Sequence, residues 1–146
     1  TAMDRGTRLE SEAMQRFMDE TGKVVDTSLV IWARDDNESI AISPDGFVGE
    51  TEAVEVKCLS SAKHLEAFLT KEVPSEYKEQ VVQYFIVNDK LETLNFAFYD
   101  PRIPCKPFFY HVISREDVKE DVALYLQFQR DTLAEVNSIV AEMSGF

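Results

Sequence analysis

Cysteine is scarce: Cys58 and Cys105 are the only two in 146 residues. Two thiols cannot build a disulfide framework, a four-thiolate zinc site or a four-cysteine iron–sulfur cluster within one chain, so both are expected as ordinary buried or half-buried thiols. Long apolar runs are missing as well. No stretch approaches the roughly 18 residues needed to cross a bilayer, and Thr1–Gly6 lacks the charged-then-apolar pattern of a secretory signal. The chain reads as soluble and intracellular. Positive charge is the third shortage: 15 Lys and Arg against 27 Asp and Glu leave a net −12. That balance argues against a protein that holds nucleic acid by charge over its whole surface. What remains, 45% hydrophobic and 11% aromatic residues with only five glycines and five prolines, suits one core, and a single domain over residues 1–146 is expected.

Thr7 to Glu20 carries Leu9, Ala13, Met14, Phe17 and Met18 at helical spacing and predicts an amphipathic helix ending near Thr21-Gly22. Val24-Val25 through Leu29–Trp32, Ser39–Ser43, Phe47-Val48 and Ala53–Cys58 are strand-like, with turns at Asp35-Asp36-Asn37, Pro44-Asp45-Gly46 and Gly49–Glu52, so an antiparallel meander is expected. A helix follows from Ser61, with Leu65, Phe68 and Leu69 sharing a face and Pro74 closing it. Ser75 reads as the N-cap of another helix running to about Asn88. Thr93–Tyr99 and Phe108–Ile113 are further strands around the turn Asp100–Pro104. Arg115 to Met143, with Val118, Val122, Tyr125, Leu133, Val136, Ile139 and Val140 on one stripe, predicts one long helix or two. The expected fold is α/β, a mixed sheet flanked by helices.

Pro44-Asp45-Gly46 alone is ordinary turn chemistry. Ten residues after Asp45, however, stands Glu55 in the alternating strand Ala53-Val54-Glu55-Val56-Lys57-Cys58. Alternation sends Val54, Val56 and Cys58 to one face and Glu55 and Lys57 to the other. A half-exposed strand shows the same pattern. Here, though, a hairpin of this length brings Asp45 beside Glu55. Two carboxylates offer hard oxygen ligands to Mg²⁺ or Mn²⁺, with the Val56 carbonyl a third. A lysine on the same face can position or deprotonate an attacking water, or neutralise charge on a phosphate. Glu10 shares the apolar face of the first helix, where it is solvated at the edge, salt-bridged or metal-bound. Gln80 and Tyr84 lie one turn apart on a face that includes Tyr77, and Gln80 either flanks the core or serves the site.

Together, Met3–Glu10, Ser43-Pro44-Asp45-Gly46, Glu55-Val56-Lys57-Cys58, Gln80-Val81-Val82-Gln83-Tyr84 and Tyr99-Asp100-Pro101-Arg102 resemble the PD-(D/E)xK nuclease superfamily. Within it they resemble the phage lambda exonuclease-like viral recombinases of the YqaJ type. The likeness runs from Met3 to about Ile113. It implies a restriction-endonuclease-like core and hydrolysis of DNA phosphodiesters assisted by one or two Mg²⁺ or Mn²⁺ ions. Asp45, Glu55 and the Val56 carbonyl would hold the principal metal and Glu10 would serve it. Lys57 would act on the water, and Gln80 would orient Lys57 or the water. It further implies 5′-to-3′ digestion of duplex DNA, a trimeric homo-oligomer, a single-strand annealing protein as partner, and action in the cytoplasm of a bacterial or phage-infected cell. Family members also carry a segment ahead of the first helix that helps grip the 5′ phosphate. This chain is expected to lack that segment, on which end preference and processivity would depend.

Three further expectations accompany this reading. Arg102 either contacts DNA or serves its turn. His64 and His111 have no ligand-type neighbours at metal spacing and are structural or surface residues. The competing functions are a non-catalytic DNA-end or partner-binding module on the same fold, and another branch of the superfamily, such as a restriction endonuclease, a junction resolvase or a CRISPR-associated nuclease.

Overall fold

The computed structural model describes residues 2–145 and, at the start of the first helix, the side chains from residue 6 onward. The side chains of Met3, Asp4 and Arg5, part of the first motif above, lie outside the described residues. The chain runs α1 (Ala2–Thr21), β1 (Trp32–Arg34), β2 (Asn37–Ile42), β3 (Gly46–Val48), β4 (Glu52–Lys57), α2 (Ser61–Thr70), a 3₁₀ turn (Ser75–Tyr77), α3 (Lys78–Val87), β5 (Thr93–Tyr99), β6 (Phe108–Ser114) and α4 (Arg115–Ser144). The main sheet has the order β3-β4-β5-β6; β4 and β5 are parallel and the outer pairs antiparallel. The expected mixed sheet flanked by helices is therefore present. The expected single meander is not, because β1 and β2 form a separate two-stranded sheet.

Both faces of the main sheet are buried, which follows from the strand period of two. Val54, Val56, Ala97, Tyr99 and Phe108 face α1, whose Leu9, Ala13, Met14 and Phe17 complete one core layer. Ala53, Leu94, Phe96, Phe98 and Phe109 face the other way, against Ala67 of α2 and Val81, Tyr84 and Phe85 of α3. Beyond α3, Ile40, Val82, Ile86 and Val87 pack with Val118, Val122, Tyr125 and Leu133 of α4. Arg115, the first residue of α4, donates to the carbonyls of Phe85, Asn88 and Leu91 and so ties α4 to the end of α3.

Five local expectations are corrected. Of Val24–Trp32 only Trp32 joins a strand; Asp26 forms an isolated bridge to Phe47, and Val24, Leu29 and Ile31 are exposed. Their β propensity finds no ladder to join. On α2 the buried residues are His64 and Ala67, while Leu65, Phe68 and Leu69 are exposed. Ser75 caps no α-helix: it opens the 3₁₀ turn, and Tyr77 sits at the N-cap of α3 without a side-chain cap. Cys105 is exposed, whereas Cys58 is half-buried against the α1 layer. The last segment is one helix, started by a capping box between Ser114 and Asp117. Its stripe divides, since Val118 to Leu133 pack on the core and Val136, Ile139 and Val140 are exposed.

Candidate active site

The site forms where β3 and β4 part. Their ladder runs from Val48↔Glu52 to Gly46↔Val54. One step further on, Oδ2 of Asp45 takes the place of a strand partner and accepts the Val56 amide at 2.9 Å. A strand residue turns its N–H and C=O to the same side, so the Val56 carbonyl also faces the Asp45 edge. Asp45 and Val56 line a cleft of about 310 Å³ with Thr7, Glu10, Ser11, Met14, Met18 and Thr27.

Glu55 sits beneath this edge, 3% exposed, on the face of β4 that looks toward α3. Its Oε1 accepts from Gln80 Nε2 at 2.5 Å and its Oε2 from the Tyr84 hydroxyl at 3.1 Å. Burial, a hydrogen bond with the Asp45 carboxyl and the charge of Asp45 push Glu55 up to about 9, against the opposing pull of Lys57 and Tyr84. The Tyr84 hydroxyl is itself raised by burial and by the two carboxyl groups. Lys57, next on the same face, places Nζ 3.9 Å from Glu55 Oε1 and 4.8 Å from the centre of the Tyr77 ring. Glu10 lies exposed at the rim, and its carboxyl is raised by partial burial and by Asp45, with Lys57 lowering it.

This donor set suits a hard divalent cation. Asp45 and Glu55 share a hydrogen bond that only one of them can supply with a proton, and a cation between them would replace that proton. Among the described residues no three Asp, Glu, His or Cys side chains already enclose one point. The protein thus presents a carboxyl pair with a carbonyl edge, and Glu10 is close enough to feel Asp45.

A sequence model of the YqaJ-like viral recombinase domain matches residues 1–91. The chain belongs to the YqaJ-like viral recombinase family. Two crystal structures of LHK-Exo, an alkaline exonuclease from Laribacter hongkongensis, are similar to it. The one in complex with dAMP shows a TM-score of 0.71 and 27% identity over 97% of this chain and 75% of that one. The second shows a TM-score of 0.71 and 26% identity with the same coverage. No curated protein sequence matches. This YqaJ-like recombinase is a nuclease of the recombination type.

Within the YqaJ-like recombinase, then, Asp45, Glu55, Val56, Lys57 and Gln80 come together, and Glu10 reaches them from the rim rather than from inside the apolar face. The other residues singled out in the sequence lie elsewhere. Arg102 donates to the buried Asp100 and to the Leu59 carbonyl. Burial opposes ionisation of Asp100, yet hydrogen bonds from Arg102 and Ser61 bring its carboxyl down to about 2. His64 and His111 bind the carbonyls of Lys106 and Ala67 and are structural. Of the cleft residues, Ser11 and Thr27 carry no sequence signal, and Thr7 stands inside the first motif without an assigned role. Tyr84 and Tyr77 were legible only as neighbours of Gln80 on one helix face. That shared face was the available signal. Among the described residues no helix is long and apolar enough to cross a membrane.

Proposed function

We propose that the chain is a divalent-metal-dependent deoxyribonuclease that digests duplex DNA from the 5′ end in phage-type homologous recombination. Asp45 and Glu55, with the Val56 carbonyl, would hold the principal Mg²⁺ or Mn²⁺ ion, and Glu10 would complete its surroundings or help hold a second. A cation bound there supplies Lewis-acid activation of a water molecule and positive charge for the phosphate. Gln80 and Tyr84 each fix one oxygen of Glu55, so its carboxyl cannot swing away from Asp45. Lys57 directs its ammonium group into the same site, where it can orient the water and neutralise the pentacoordinate phosphate. The single observation that carries this reading is the buried, hydrogen-bonded Glu55 paired with Asp45 beside a lysine.

The similar exonuclease structures favour end digestion over internal cleavage. A trimeric homo-oligomer and a single-strand annealing partner belong to the same proposal. Duplex DNA labelled at its 5′ or 3′ end, incubated with Mg²⁺ or with EDTA, tests it. The expected result is Mg²⁺-dependent release of the 5′ label as mononucleotide. Lys57→Ala should abolish cleavage while retaining metal binding, and Asp45→Ala should lose both. Undiminished cleavage by either variant would overturn the assignment.

A further inference from the structure

We infer that Tyr77 is a positioning residue of this site: its ring face seats the Lys57 ammonium and sets the direction in which that charge points. The inference rests on the reading of Lys57 given above. Glu55 and Lys57 lie two residues apart on one face of β4, and Tyr77, Gln80 and Tyr84 follow one another at spacings of three and four along the facing stripe of α3 and its entry turn. The two stripes match in chemistry. Gln80 and Tyr84 offer hydrogen-bond donors to the carboxyl, and Tyr77 offers a π face to the cation.

Glu55 is a poor alternative anchor for Lys57. At 3.9 Å from Oε1 the ammonium is beyond hydrogen-bond reach, and that oxygen already accepts from Gln80. The ring, in contrast, lies 4.8 Å below Nζ, within the range of an effective cation–π contact. Tyr77 is also well held. Its amide donates to the Pro74 carbonyl at 3.0 Å, and its ring packs 5.7 Å from Phe96 in the core layer. A face fixed in this way restricts a flexible four-carbon side chain to one approach beside Glu55.

The test uses the full chain with lysine labelled at Cε, the Lys57 resonance being assigned by its loss in Lys57→Arg. The ring current should move the Lys57 ε-methylene protons upfield in the wild type and in Tyr77→Phe, and return them to the ordinary lysine position in Tyr77→Leu. In Mg²⁺-dependent digestion, Tyr77→Leu should lose about tenfold in kcat, with KM for DNA and Mg²⁺ affinity nearly unchanged, and Tyr77→Phe should recover most of that loss. An unshifted Lys57 signal in the wild type overturns the inference whether or not the variants fold. Equal loss of kcat in the Phe and Leu variants overturns it too, since the hydroxyl and not the ring would then matter. Should the wild type digest no DNA, the proposed function fails while the resonance still decides the role of Tyr77.

Discussion

Glu55 places a proton where the proposed chemistry needs a metal. Its carboxyl is pushed up to about 9 from the ordinary 4.5, chiefly by burial and by its hydrogen bond with Asp45. A raised carboxyl means that folding takes up a proton between those two values. The metal-free protein should therefore be most stable below about pH 4.5 with respect to this group, and should lose stability as pH rises toward 9. A cation reverses the preference by taking the proton's place. Calorimetric titration with Mn²⁺ in buffers of different ionisation enthalpy should show release of about one proton at pH 7 and affinity that climbs from pH 6 to pH 9. Asp45→Asn should weaken both. Binding that is indifferent to pH and releases no proton would contradict the shared-proton geometry. At this scale the sequence was informative where the signal was local. The alternation of β4 separates Glu55 and Lys57 from Val54 and Val56 with no knowledge of the fold. That Tyr84 holds the second oxygen of Glu55 is a contact across 29 residues of chain, and no local pattern contains it.

Among the strands, β3 is the shortest that the site depends on, and it begins on a residue without a side chain. A Cβ built on Gly46 would lie 2.5 Å from Val25 Cγ1, 3.0 Å from Met14 Cε and 3.4 Å from the Asp26 carbonyl. Three segments converge there: β3, α1 and the stretch that bridges to Phe47. Gly46→Ala should cost about 1–3 kcal/mol through overpacking, because the nearest obstacle is a β-branched side chain with little freedom to turn. Thermal unfolding measures that cost. Since Asp45 is the neighbouring residue and holds the Val56 amide, DNA digestion should fall beyond what the lower stability explains. An unchanged melting temperature would show that Val25 moves aside freely. The same elements explain why some sequence expectations failed. Val24, Leu29 and Ile31 have strand-forming side chains, but the chain passes along the surface there to deliver Asp26 to Phe47. On α2 the apolar trio Leu65, Phe68 and Leu69 outweighs His64 and Ala67 in hydropathy. Yet the sheet accepts the smaller Ala67 and a histidine that binds a carbonyl while its ring packs on Phe109. Periodicity identifies a helix and its candidate stripes; the partner surface chooses among them.

For the molecule as a whole, the central question is how a chain of net charge −12 engages a polyanion. Much of its positive charge is already committed within the fold. Lys23, Arg34, Lys63, Lys78, Arg102, Lys119 and Arg130 are each paired with a carboxylate. Most of these pairs are exposed and contribute little to stability, but each lowers the charge available to phosphate. The site itself adds Lys57 against Asp45, Glu55 and Glu10. On the proposed mechanism the bound divalent cation is then the main positive charge the substrate meets, so affinity should depend more on metal than on counterion release. A protein that neutralises about 6–10 phosphates loses roughly 10³–10⁵ in affinity between 50 and 200 mM salt; one that neutralises about two should lose only about tenfold. We expect the smaller loss. Fluorescence anisotropy of labelled duplex DNA would measure it, with Ca²⁺ in place of Mg²⁺ to hold the substrate uncleaved. Chelation should weaken binding more than the fourfold rise in salt does. A thousandfold salt effect that persists in EDTA would mean that DNA is held by a basic surface outside this site, contributed by further chain or by assembly of copies, and that the metal serves cleavage alone.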